Sequence, residues 1–296
     1  MKKVGIVGLG DMGSGMAKNI LQAGFSLTGF DLSAARLAEL EKAGGVGAAS
    51  CREVAEACDT IFVMVLNGAQ VKEVILGEEG LLAGAKRGAA IIVSATIKPS
   101  EIKELVSPVT EKGVSMLDTP VSGGKPGAEN GTLTIMAAGK ADVLEANRAV
   151  LGAISKVIFH VGEEIGQGQT VKAALQAMIG TVFAAIFESL VLGAKAGVSG
   201  ETLHKVFSAS AINCGLFENC AKLILDRQFK DTGSQIATMY KDLGISVDMA
   251  RENGVPLFAT AAAFQLFQSG ISMFPNEDNW TCVKVLEQIA GAEVTW

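Results

Sequence analysis

The sequence predicts an α/β protein: a doubly wound, mainly parallel sheet over residues 1–161, then an all-α domain over 162–296 entered through one long helix. Three observations predict it. Short apolar runs alternate with helical patterns through the first half, a glycine-rich turn joins the first such pair, and beyond Gly166 only helical patterns remain.

The first apolar run, residues 4–7, leads into GLGDMGSGMA, where Met12, Met16 and Ile20 recur at helical spacing. Residues 25–30 read as the next strand and end at Asp31. Gly8, Gly10 and Gly13 fit GxGxxG: Gly8 for a tight turn, Gly10 for close approach of a pyrophosphate, Gly13 for packing helix on strand. A chain that leaves a strand and enters a helix at once offers backbone N–H groups and a positive dipole end to an anion. Asp31 stands about 20 residues beyond the glycines, where a carboxylate accepts hydrogen bonds from a ribose diol and repels a 2′-phosphate. The first domain is therefore expected to be Rossmann-like and to bind NAD in preference to NADP, with Arg36 as the residue opposing that preference. Gly8, Leu9, Gly10, Asp11, Met12, Gly13, Asp31 and Leu66, the last at the end of the 60–66 run, are the expected cofactor contacts.

Further on, a helical pattern covers 34–43, and apolar runs follow at 60–66, 89–94, 115–118, 133–137 and 157–161. The later runs have less helix between them, which points to an antiparallel or mixed addition to the sheet. Helical patterns then cover 169–197, 200–208, 215–225, 235–253, 256–270 and 279–289. The link between the halves, 162–169, is short, and open α/β sheets bind ligands outside the carboxyl ends of their strands.

Composition narrows the function. The 296 residues carry a net charge of −6 with scattered lysines and arginines, so no basic face for nucleic acid is expected. Mean hydropathy is +0.37, yet the apolar stretch 173–187 is broken by Gln176 and Thr181 and stopped by Glu188, too short to span a bilayer. A helix apolar on nearly all sides is better placed between domains or subunits, and a homodimer or homotetramer is expected. Lys2 and Lys3 precede a strand rather than a signal peptide. Five cysteines, odd in number and without CxxC spacing, fit reduced thiols in the cytoplasm. His160 and His204, the only histidines, stand far apart and promise no metal site.

Lys172 begins the most apolar helix, with Gln176 one turn later on the same face. Burial lowers a lysine pKa from about 10.4 toward the range useful in general acid/base work. Hydride transfer from an alcohol needs such a group to take the hydroxyl proton. In TPVSGG, Ser122 and the amides of Gly123 and Gly124 suit a substrate carboxylate. Thr96 is on its own evidence a polar loop residue, while Asn67, Gln70, Asn213 and Asn219 suit a polyhydroxylated acid and serve equally as surface or capping amides.

From end to end the chain resembles the 3-hydroxyisobutyrate dehydrogenase family of β-hydroxyacid dehydrogenases, through GLGDMGSGMAKN, DTPVSGG (118–124), GTLTIMAAG (131–139), the Lys172 helix and KDLG (241–244). The resemblance implies that Lys172 is the catalytic lysine, that Ser122, Gly123 and Gly124 bind substrate, and that Thr96 and Lys241 contact the cofactor, with Asp242 orienting Lys241 at the substrate side. Many members carry Asn one turn after the lysine; this chain has Gln176, which reshapes the expected substrate pocket. Residues 55–70 and 208–220 look more like the L-threonate dehydrogenase branch. The implied activity is NAD-dependent oxidation of a small hydroxy acid, a four-carbon sugar acid to its 2-oxo acid. The alternatives are a 3-hydroxyisobutyrate or related β-hydroxyacid or semialdehyde dehydrogenase, a non-catalytic NAD-binding protein, and an imine reductase, which Lys172 argues against.

Overall fold

The computed structural model describes residues 2–296. They form two compact units by the density of their contacts, the first ending at Lys172 and the second beginning at Ala173. The division falls within the first turns of the long helix rather than at residue 161, because hydrogen bonds from Gly166 and Gln169 tie those turns to the sheet.

The sheet contains β1 (Lys3–Val7), β2 (Ser26–Phe30), β3 (Val46–Gly47), β4 (Thr60–Val63), β5 (Ala90–Val93), β6 (Ser115–Asp118), β7 (Val121–Ser122), β8 (Leu133–Ala138) and β9 (Ser155–Gly162). Their order is β3-β2-β1-β4-β5-β6, all parallel, and then β8. β8 runs antiparallel to β6 and β7 but parallel to β9, the mixed addition that the shortened helical spacing anticipates. Helices α1 (Asp11–Gln22), α2 (Ala34–Lys42), α3 (Cys51–Ala57), α4 (Gly68–Leu76), α5 (Leu81–Gly84), α6 (Pro99–Lys103), α7 (Val106–Glu111), α8 (Gly124–Glu129) and α9 (Ala141–Ile154) make the crossovers.

Both faces of a parallel sheet must be covered, so its strands are apolar throughout: Thr60–Val63 and Ala90–Val93 are buried at every position. One core, around Val54, Ile61, Ile91 and Ile102, lies on one face; another, around Ile6, Phe62, Leu117 and Ile135, lies on the other. The strand covers only the first four residues of the 60–66 run, and the last residue of that run, Leu66, is 68% exposed.

The second unit comprises the rest of α10 (Gln167–Lys195) with α11 (Gly200–Ser208), α12 (Gly215–Leu225), α13 (Ile236–Glu252), α14 (Phe258–Met273) and α15 (Cys282–Ala290), the last preceded by a 3-10 turn, Asn279–Thr281. Phe183, Phe187, Phe217, Phe267 and Trp280 meet in its core, and the Trp280 ring stands edge-on to Phe183 with centroids 5.4 Å apart. Glu188 stops the apolar run but is exposed, and the helix continues past it, burying Leu190 and Val191, close to the 169–197 span that its pattern predicts. Among the described residues this one helix is long and apolar enough to cross a membrane, with 39% of its most apolar window buried inside the fold.

Candidate functional site

Register places the expected site residues. Phe30, Val7, Val63, Val93 and Asp118 lie side by side across β2, β1, β4, β5 and β6, so the loops that begin at Asp31, Gly8, Met64, Ser94 and Thr119 leave from one edge of the sheet. That edge is the carboxyl end of every strand concerned, where doubly wound sheets bind ligands.

In the first loop Gly8 has φ +93°, and a Cβ built on Gly13 would stand 1.9 Å from the Gly8 carbonyl oxygen. Side chains at either place would force strand and helix apart. Around Gly10 nothing approaches within 4 Å of the position a Cβ would take. The loop thus leaves open space at the N-terminus of α1, the arrangement a pyrophosphate requires. Asp31 closes the loop from the neighbouring strand: Oδ2 accepts from Leu9 N–H at 2.7 Å and Oδ1 from Ser33 N–H at 2.8 Å. Arg36 reaches the same carboxylate at 3.5 Å with an exposed side chain. Asp11 and Met12 open the helix, and Asp11 Oδ1 lies 3.9 Å from Lys125 Nζ.

The Ser-Gly-Gly segment is joined to that helix. Ser122 ends β7, Gly123 has φ +128° and Gly124, at φ +58°, begins α8, so both glycines hold backbone conformations that side chains resist. α8 packs directly on α1: Asn19 Nδ2 donates to Gly15 O at 2.8 Å and to Ala128 O at 2.7 Å, and a Cβ on Gly15 would meet the Ala128 backbone. Phosphate loop and Ser122–Gly124 are therefore fixed relative to each other.

Two residues missing from the expected set organise the start of α10. Asp118 is fully buried, and its Oδ2 accepts from Gly166 N–H at 2.9 Å and Gln169 N–H at 3.1 Å. Burial pushes its carboxyl up to about 6, against the opposing pull of these N–H donors. The Gln169 side chain, also fully buried, donates from Nε2 to Asp118 Oδ1 at 2.9 Å and to Ala95 O at 3.0 Å, and accepts from Ile97 N–H at 3.0 Å. Gln169 stands three residues before Lys172, which is 6% exposed. In the sequence the only signal for it is a Gln three residues before the lysine, next to glycines at 166 and 168.

In the second unit Gln176 Nε2 donates to Asp242 Oδ2 at 2.7 Å, and Lys241 Nζ lies 2.8 Å from Asp242 Oδ1. Asp242 is 3% exposed. Its carboxylate is thus engaged by both Gln176 and Lys241. Asn67 and Gln70 serve α4 as caps: Asn67 Oδ1 accepts from Gln70 N–H, and Gln70 Oε1 from Leu66 N–H, each at 2.9 Å. Asn213 and Asn219 are exposed. His160 Nε2 is 2.9 Å from Gly139 O and His204 Nε2 is 3.1 Å from Glu218 Oε2; among the described residues no three His, Cys, Asp or Glu gather as metal ligands. Burial raises the thiols of Cys51, to about 11, and of Cys58 and Cys220, which keeps them protonated.

A glycine loop built for a pyrophosphate, an acidic residue at the end of β2 and a buried lysine define the class, a dinucleotide-binding oxidoreductase. Comparison with known proteins narrows it. A family model described as the NAD binding domain of 6-phosphogluconate dehydrogenase matches residues 3–162, and one described as the NAD-binding domain of NADP-dependent 3-hydroxyisobutyrate dehydrogenase matches 166–286. The chain is 36% identical over 295 residues to 2-(hydroxymethyl)glutarate dehydrogenase of Eubacterium barkeri, covering 99% of this chain and 97% of that protein. It is 35% identical over 288 residues to L-threonate dehydrogenase of Escherichia coli, covering 97% and 95%. A crystal structure of 3-hydroxyisobutyrate dehydrogenase from Salmonella typhimurium superposes with a TM-score of 0.87 at 34% identity, covering 96% of this chain and 100% of that one. The chain belongs to the 3-hydroxyisobutyrate dehydrogenase family and is an NAD-dependent dehydrogenase of the β-hydroxyacid type.

Proposed function

We propose that this dehydrogenase oxidises a four-carbon sugar acid of the L-threonate type to its 2-oxo acid, with Lys172 as the general acid/base. The observation that carries the reading is the buried lysine amine on a helix whose first turn is anchored to Asp118, beside the strand ends that present Thr96 and Ser122–Gly124. When bound, NAD supplies the hydride acceptor. Gly8, Leu9, Gly10, Asp11, Met12 and Gly13 would hold its pyrophosphate, Asp31 its ribose diol, and Leu66, Thr96 and Lys241 further parts of it. Ser122 Oγ and the Gly123 and Gly124 amides would bind the acid's carboxylate. Lys172 would take the hydroxyl proton as the carbonyl forms and return it in the reverse direction. Gln176, one methylene longer than the Asn common in the family and held by Asp242, would set the depth of the substrate pocket. The same reading includes a cytoplasmic setting, supported by five free cysteines, and self-association, supported by the exposed Met178 and Leu192 on α10.

Turnover followed by NADH absorbance tests this with L-threonate, other four-carbon sugar acids, 3-hydroxyisobutyrate and 2-(hydroxymethyl)glutarate, each with NAD and NADP. L-threonate with NAD is expected to give the highest kcat/KM. A faster rate with a branched acid overturns the substrate and leaves Lys172 standing, whereas NAD binding with no turnover on any acid overturns the reaction itself.

A further inference from the structure

We propose that Gln169 is a positioning residue that holds Lys172 and the Thr96 segment in one fixed geometry, with Asp118 as its counterpart. The inference rests on Lys172 being the general acid/base.

One amide makes all of these connections. Ala95 O and Ile97 N–H flank Thr96 in the chain, and the Gln169 side chain binds both, donating from Nε2 to the first and accepting at Oε1 from the second. Those two bonds fix which end of the amide is nitrogen. The remaining Nε2 hydrogen must then meet an acceptor, which Asp118 Oδ1 supplies at 2.9 Å. Asp118 Oδ2 in turn takes the Gly166 and Gln169 backbone N–H groups, which lack partners within the first turn of a helix. Both Nε2 hydrogens are thus used, and Oε1 accepts from a backbone N–H, within a fully buried site.

The close fit has a second sign. A Cβ on Gly168 would stand 2.6 Å from Met136 O and 2.9 Å from both Asp118 O and Oδ2, so the helix start lies flush on the end of β6 and the body of β8. A surface cap would satisfy the helix N-terminus without such contact. Here the strand that ends at Asp118, the segment that carries Thr96 and the helix that carries Lys172 three residues on share one buried amide. Displacement of any one of them displaces the others.

A double-mutant cycle separates positioning from plain stability. Gln169→Met keeps length and volume while removing every side-chain hydrogen bond. With the acid turned over fastest in the panel above, it is expected to lower kcat roughly 10- to 100-fold in the parent, the scale set by displacement of about 1 Å. In a Lys172→Ala background the same change is expected to cost no more than roughly threefold, since groups acting as one unit are not additive. Titration with NAD alone, followed by tryptophan fluorescence, should show weaker binding for Gln169→Met at a temperature where circular dichroism shows the fold intact. Equal losses in the two backgrounds, or parental kcat and NAD affinity in folded Gln169→Met, overturn the proposal. If Gln169→Met does not fold, Asp118→Asn, whose NH2 must face N–H donors whichever way the amide turns, carries the same cycle to the same two outcomes. Parental turnover in Lys172→Ala instead defeats the reading of Lys172, and the NAD titration then still decides whether Gln169 fixes the Thr96 segment.

Discussion

Lys172 carries its amine on a four-carbon stem at 6% exposure, a setting that long charged side chains take up only when something other than water holds the head. Lys172→Ala is expected to lower kcat roughly 10²- to 10⁴-fold, the usual scale for a general acid/base, with NAD affinity measured by titration left within about threefold. Lys172→Arg should not restore activity, because a guanidinium stays protonated. At Asp31 the carboxylate holds Leu9 and Ser33 N–H groups and would face the 2′-position of a ribose. Asp31→Asn keeps an acceptor for Leu9 and removes the charge. The ratio of kcat/KM for NADP to that for NAD should rise at least roughly tenfold, since like-charge contact costs a few kcal/mol; an unchanged ratio would show that Asp31 does not discriminate.

Individual elements explain which sequence signals were sufficient. α11 and α12 occupy 200–208 and 215–225 as read from their patterns, because each has an amphipathic stripe and a clear start, Ser199 capping α11 through Thr202 N–H. α9, which the sequence reading does not include, buries Leu144, Val150, Leu151 and Ile154 and fills nearly all of the chain between β8 and β9. The start of α10 makes a pH prediction. Asp118 is raised from 3.8 to about 6, so below its unfolded value the protonated folded form is favoured and that stability is lost as pH rises through about 6. Relative to Asp118→Asn, the parent is expected to lose stability between those two pH values in chemical denaturation. A difference that stays flat, or grows in the parent's favour as pH rises, would contradict the assigned shift.

For the whole molecule, the two units have separate cores, two clusters on the faces of the sheet and a third among the helices. The residues expected to hold most of the cofactor, Gly8 to Thr96, belong to the first unit. NAD at about 100 times its Kd should add about 2.7 kcal/mol to the folded state it binds, raising the calorimetric transition in which residues 1–172 unfold. A transition unmoved by saturating NAD would contradict binding at this loop. Glycine at 13 is part of the same expectation: Gly13→Ala sets a Cβ against the Gly8 carbonyl, where both partners are backbone and neither can turn aside. It should weaken NAD binding and lower the first transition together.

The α/β class, the glycine loop with Asp31, the lysine on its apolar helix and the change from strands to helices near Gly166 are legible in the residues alone, because spacing and residue type are local properties that side-chain periodicity and turn chemistry express directly. That Asp118, Gln169 and the backbone flanking Thr96 meet in one buried network emerges on folding. Their contacts span 51 and 74 residues, and a hydrogen bond over such a distance depends on sheet register, which no local pattern encodes.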